Sequence, residues 1–249
     1  MGVVFLDNFL TTVVSFGNME LTTSVKKGGP SLLEAFQKLD EAKQRQILAA
    51  VLREFAQHGY ANASTNRMVE SAGISKGLLF YYFKNKEELF RYALEYSLEY
   101  IKREYVDKLD LSEPDFILRL QKITEVKMRA YLTNPLPFTF IASVQLNQDM
   151  QDVVPDLFAK MEEMARGELA KLYLHVDRSL FRDDAAPEHI LNLIRWSFDG
   201  YSRELLAKLE SIDLVGLDWQ PYAAEFYDFL AILRKIFYKE GDHGHSEGK

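Results

Sequence analysis

The sequence predicts an all-α chain, with an N-terminal three-helix unit built around a helix-turn-helix and a larger C-terminal helical domain. Three observations carry that expectation. Apolar residues recur three and four apart over most of the 249 residues, and no stretch sustains the period-two alternation of a half-buried strand. Residues 64–92 read as two short helices around a glycine turn, the second crowded with aromatics and lysines. Beyond them, helix stops fall at Asn134-Pro135-Leu136-Pro137, Asp183-Asp184-Ala185-Ala186-Pro187 and Gly216-Leu217-Asp218-Trp219-Gln220-Pro221.

Residues 1–40 are expected to be an extension and linker without stable order. The first 18 are apolar but lack the basic start of a signal peptide, carry Asp7 and Asn8, and are too short to span a bilayer. Met19 offers an alternative start, and the stretch before it is expected to be dispensable. Lys26-Lys27-Gly28-Gly29-Pro30 reads as a solvated linker. The first helix of the unit shows Ile47, Leu48, Val51, Leu52 and Phe55 on one face and is expected to close at Gly59. Ser64 and Thr65 supply N-cap hydroxyls, and Met68, Val69 and Ala72 form a buried face. Gly73 takes the left-handed conformation that ends a helix. Ile74 plugs the turn, Ser75 caps the second helix, and Leu79, Tyr82 and Phe83 are its inward face at i, i+3 and i+4. Gly77 and Tyr81 then point outward, with Leu78, Phe80 and Lys84 on the flanks. Lys76 opposes the helix dipole by a few tenths of a kcal/mol, which an anionic partner would explain better than helix stability does.

A longer helix leaves the motif near Glu87 and runs to about Leu109, with Leu89, Phe90, Ala93, Leu94, Leu98 and Ile101 at helical spacing. Further helices are expected over 114–132, 137–148, 152–177, 187–210 and 220–239. Residues 41–101 are expected to form the helix-turn-helix domain, 102–240 a second helical domain, and 241–249 a disordered tail.

The run Gly73-Ile74-Ser75-Lys76-Gly77-Leu78-Leu79-Phe80-Tyr81-Tyr82-Phe83-Lys84-Asn85-Lys86-Glu87-Glu88-Leu89 closely resembles the DNA-binding domain of the TetR family of bacterial transcriptional repressors. The likeness extends upstream through Gln46-Ile47-Leu48-Ala49-Ala50, Phe55, His58-Gly59-Tyr60 and Thr65 and covers about residues 41–101. It departs from the family pattern at Asn66-Arg67-Met68-Val69-Glu70, where an isoleucine-alanine pair is usual. Leu78 also stands where threonine is common, and Phe80 where tyrosine is. These losses of hydroxyls mean that no operator sequence carries over from a relative. The resemblance implies a cytoplasmic regulator that binds palindromic double-stranded DNA as a homodimer and is released by a small effector. On that reading Lys76, Gly77, Leu78, Tyr81 and Tyr82 face the major groove, with Ser75 at the helix start beside them. Thr65, Lys84 and Lys86 hold phosphates, and Asn66 reaches a base edge.

Charge agrees once it is divided. The chain carries −7 overall, but residues 41–91 hold eight Lys/Arg and five Asp/Glu, a balance of +3, leaving −10 for the rest. A mildly basic head on an acidic body suits a DNA reader whose regulatory part does not itself adhere to phosphate. With no cysteine there is no disulfide, thiolate chemistry or zinc finger.

The body offers no catalytic constellation: there is no phosphate loop, nucleophile elbow or paired helical histidines, so no enzyme, cofactor or metal is expected. His175 is expected inside the 152–177 helix without a ligating neighbour, and His243 and His245 in a frayed tail. Met128, Phe138, Phe140, Phe158, Met161, Met164, Tyr173, Trp196 and Tyr201 are candidates to line a pocket for an apolar or aromatic effector, with plain core filling as the alternative. Leu191, Ile194, Phe198, Leu205, Phe226, Leu230, Leu233 and Phe237 form apolar rows on the two C-terminal helices. By the family resemblance these rows pair with a second copy in a four-helix bundle; otherwise they close the chain's own core. No membrane partner is expected. The competing reading of the whole chain is a helical ligand-binding or scaffold protein whose helix-turn-helix merely packs, which leaves the outward lysines unexplained.

Overall fold

The structure, a computed structural model, describes residues 32–159, 161, 172–209, 218 and 220–240. The expectations for residues 1–31, for Met164 and for the tail from residue 241 lie outside the described residues. In chain order the helices are α1 (Leu32–Gln37), α2 (Glu41–Asn62), α3 (Thr65–Ala72), α4 (Lys76–Phe83), α5 (Lys86–Glu104), α6 (Phe116–Thr133), α7 (Pro135–Leu146), α8 (Gln148–Gln151), α9 (Pro187–Leu209) and α10 (Gln220–Phe237). Residues 155–159 are also helical. There is no strand among the described residues, and the all-α expectation holds. The residues form two compact units, one of residues 32–108 with 129–159 and the other of residues 109–128 with those from 172 onward.

In the first unit, local signals set the helix ends. Asp40 caps α2 by accepting from the Lys43 amide at 2.9 Å, and Asn85 caps α5 from the Glu88 amide at 2.8 Å. Gly59 closes the long run of α2, as expected, and only a short helical segment follows it. Its φ of 67° and ψ of 179° are not helical, and the segment from there to Asn62 lies beyond the kink. A Cβ there would also lie 3.2 Å from the Asp149 carboxylate, so glycine is favoured on both counts. The core is a cluster of Phe55 from α2, Phe90 from α5 and Phe140 from α7, with Phe90 edge-on to both others. Ring centroids are 5.0 Å apart for Phe55 and Phe90, 5.6 Å for Phe90 and Phe140, and 6.2 Å for Phe55 and Phe140. Thus α7 packs directly on the helices that carry the turn motif. Arg91 of α5 forks onto Asp156, with both bonds at 3.0 Å.

The second unit closes around α9 and α10. Phe198 meets Phe226 edge-on at 5.8 Å, and Tyr201 stacks on Phe229 at 4.6 Å. Asp115 caps the start of α6 from the Leu118 amide at 3.1 Å, accepts the Tyr238 hydroxyl at 3.0 Å and pairs with Arg234. The helix expected across 152–177 does not run through. Residues 173–175 form a turn, and His175 has a left-handed φ of 57°, so it is not a helical residue.

The apolar rows proposed for a partner interface are largely covered within the chain itself. Leu191, Ile194, Phe198, Phe226, Leu230 and Leu233 are all buried inside the single chain, and Leu205 and Phe237 are half-buried. In the single chain they hold α9 and α10 in their own unit. No helix of the described residues is long and apolar enough to cross a membrane.

Candidate nucleic-acid interface

A helix of eight residues is marginal by itself, so α4 depends on its caps and its packing. Ser75 supplies the N-cap, accepting from the Leu78 amide at 3.1 Å. Ser64 does the same for α3 from the Arg67 amide, which leaves Thr65 as the first helical residue rather than a cap. Between them Gly73, at φ 58° and ψ 42°, donates its amide to the last carbonyls of α3. Leu79, Tyr82 and Phe83 are buried, as the spacing predicts.

The opposite edge of α4 is free. Tyr81 is 53 % exposed and Leu78 36 %, with Lys76 and Gly77 also exposed. The Lys76 ammonium lies 6.0 Å from the Phe80 ring centroid, and among the described residues no carboxylate lies within 4.0 Å of Lys76 or Lys84. A Cβ at Gly77 would meet only the Ser75 hydroxyl, at 4.0 Å, so the chain itself leaves room for something to approach the backbone there. Asn66 is exposed and Thr65 half-buried at the start of α3. Lys84 ends α4 with a left-handed φ of 52° and is exposed.

Two expected contacts sit differently. Tyr82 is only 7 % exposed and its ring packs on Phe36 at 5.5 Å, so it belongs to the inward face and not to the groove-facing edge. Lys86 is half-buried: its ammonium donates to the Ala61 carbonyl at 3.3 Å and lies 4.8 Å from the Tyr60 ring centroid. Burial pushes this ammonium below its usual value, partly opposed by the charge of Glu54. Lys86 therefore braces the C-terminal end of α2, and a phosphate contact would have to draw it away.

Glu54 is the functional neighbour that the periodicity missed. It is buried on α2, accepts the Ser64 amide at 2.7 Å and the Arg67 Nε at 2.9 Å, and also takes Arg67 Nη2. An acid inside the row Val51, Leu52, Phe55 was the available signal, since carboxylates are rarely buried unless paired. Burial pushes its carboxyl up, but the Arg67 hydrogen bonds, the Ser64 amide and the charges of His58 and Arg67 hold it net below its ordinary 4.5. The stabilisation is therefore complete above pH 4.5 and lost as pH falls through the lowered folded value. Glu54→Gln is expected to cost about 1–2 kcal/mol at neutral pH, near the lower end for a charged hydrogen bond because Arg67 is half exposed. Urea unfolding at pH 7 and at acid pH checks this, since the variant should also lose part of the wild-type slope below pH 4.5.

The effector-pocket candidates fall in both units. Phe140 is part of the core cluster with Phe55 and Phe90, and Phe138 packs on Tyr100 at 6.3 Å and Tyr131 at 5.8 Å. Met161 is buried and Phe158 half-buried in the same unit. In the other unit Tyr173 packs on Phe116 at 5.3 Å, Tyr201 stacks on Phe229, and Met128 is half-buried. Trp196 is 57 % exposed on α9, so in the single chain it lines no interior.

Comparison with known proteins fits this geometry. Residues 47–93 match the family of bacterial regulatory proteins described as the tetR family. A 48-residue segment is 42 % identical to the HTH-type transcriptional repressor AcnR of Corynebacterium diphtheriae; it is 19 % of this chain and spans about a quarter (25 %) of that protein's length. A longer likeness, 25 % identical over 190 residues, covers 69 % of this chain and 90 % of the HTH-type transcriptional regulator PksA of Bacillus subtilis. A TetR family transcriptional regulator from Chloroflexus aurantiacus shares the fold, with a TM-score of 0.52 at 21 % identity over 83 % of this chain and 98 % of that one.

Proposed function

From the premise that this chain belongs, through residues 47–93, to the TetR family of bacterial regulatory proteins, we propose that it is a sequence-specific DNA-binding repressor. It reads a palindromic operator as a homodimer in the cytoplasm and is released by an apolar or aromatic effector acting on the body. One observation carries the DNA reading: a capped helix whose inward face is fully packed presents Lys76, Gly77, Leu78 and Tyr81 on its free edge. Lys76 suits a guanine edge, and the apolar edges of Leu78 and Tyr81 suit a thymine methyl. Lys84 and the Thr65 hydroxyl hold phosphates in this reading. A single such motif touches few bases, so useful specificity calls for two copies on symmetric half-sites.

Selection from a random duplex library followed by footprinting tests the proposal, since it yields operator and symmetry together. Lys76→Ala and Tyr81→Ala are expected to change preference at particular base pairs by about 1–3 kcal/mol, whereas Lys84→Ala should weaken all duplexes alike and flatten the salt dependence by about one unit of log-log slope. A folded chain that enriches no sequence would favour the scaffold reading. Uniform losses from Lys76→Ala and Tyr81→Ala would place both side chains on the backbone.

A further inference from the structure

α1 lies before the family-matched segment and was expected to be linker, yet its Phe36 is 0 % exposed. The ring sits against Phe83 at 4.9 Å and Tyr82 at 5.5 Å, two of the three inward residues of α4, and against Tyr92 of α5 at 5.6 Å. Phe36 is thus the wedge between the recognition helix and the long helix that leaves it. Its own position is fixed locally. Gln44 of α2 donates its side-chain amide to the Gln37 carbonyl at 3.0 Å and the Leu39 carbonyl at 2.7 Å, satisfying the end of α1, and Asp40 caps α2 directly after the corner. A two-turn helix has little stability of its own, so the packing on its inward face decides how firmly its outward edge is held.

We propose that α1 is a positioning strut for DNA reading: Phe36, held by the Gln44 staple, sets the orientation of α4 and hence of Lys76, Leu78 and Tyr81. Phe36 touches no DNA in this arrangement and acts through Tyr82 and Phe83. The proposal rests on the DNA-binding reading for its consequence, but its structural half stands independently.

The test uses the full chain, with Phe36→Ala, the conservative Phe36→Leu and the milder Gln44→Ala. Hydrogen exchange on the free protein is expected to show faster exchange at the α4 amides in Phe36→Ala and Gln44→Ala, with the α7 amides unchanged and Phe36→Leu near wild type. On the selected operator, Phe36→Ala is expected to bind at least tenfold more weakly while its affinity for random duplex changes little, and Phe36→Leu should restore most of the loss. If Phe36→Ala unfolds altogether, Gln44→Ala carries the same comparison. Unchanged α4 exchange in both variants overturns the strut. Faster α4 exchange with unchanged operator affinity overturns its role in reading. Absence of any preferred duplex for the wild type defeats the DNA reading instead, and leaves the exchange result to decide the strut alone.

Discussion

Replacing Arg119 with Met is expected to destabilise the chain by about 2–4 kcal/mol. The guanidinium is fully buried in the second unit, with Nε donating to the Glu113 carbonyl at 2.6 Å and Nη1 to the carbonyls of Leu172 at 2.7 Å and Leu174 at 2.8 Å. Two effects compete. Burial pushes the guanidinium below its usual value, eased by the charges of Glu113 and Asp110, and removing it relieves that desolvation. Against this, Met leaves the carbonyls of Glu113, Leu172 and Leu174 without the guanidinium donor. The carbonyls should win, because a charged donor serving three acceptors is worth more than the desolvation that remains once they solvate it. A fork is also what the geometry demands: Arg119→Lys keeps the charge but cannot span the Glu113 and Leu172 sides at once, so it should recover only part of the loss. Urea unfolding at constant m-value measures both variants. A Met variant as stable as the wild type, or more so, would show that desolvation dominates.

The same residue marks the limit of what the sequence discloses. A lone arginine in an apolar run reads as a solvated position, because two of the three carbonyls it serves come from residues 53 and 55 positions away. Where partners are local, the sequence is transparent. Ser64, Gly73 and Ser75 announce their caps, and Leu79, Tyr82 and Phe83 their burial, since each depends on spacing within one or two turns. Tyr82 was legible as an inward residue and misread only where it was also set facing the groove. Phe36 was missed because a six-residue helix gives no periodicity, and its burial is decided by Tyr82, Phe83 and Tyr92 far along the chain. The C-terminal helices show a third kind of limit. Period 3.6 locates an apolar face on α9 and α10, but it does not say whether the chain or a second copy covers it.

That distinction sets the test of the proposed dimer. Charges placed at Phe226 or Leu230 would wreck the chain's own core, since both are buried within it. The surface left open is another set: Leu193 and Trp196 on α9, and Tyr227, Ile232 and Ile236 on α10, all exposed. Gly200 follows Trp196 by one turn, and a Cβ there would meet nothing within 4 Å, so the single chain has no need of a glycine at that point. Glycine inside a helix costs about 1 kcal/mol relative to Ala, and close approach of a partner helix would account for it. Trp196→Glu with Ile232→Glu is expected to leave the fold intact and convert the dimer to monomer. Because two linked half-site contacts become one, operator affinity should fall roughly 10²–10⁴-fold. Gly200→Leu sharpens the test: it should not destabilise the single chain, yet it should weaken association by filling the space a partner needs. Light scattering at micromolar concentration, with footprinting on the selected operator, reads both effects. A dimer that survives both sets of changes places the interface elsewhere on the chain. A wild-type monomer that still protects a palindromic site ends the dimer proposal.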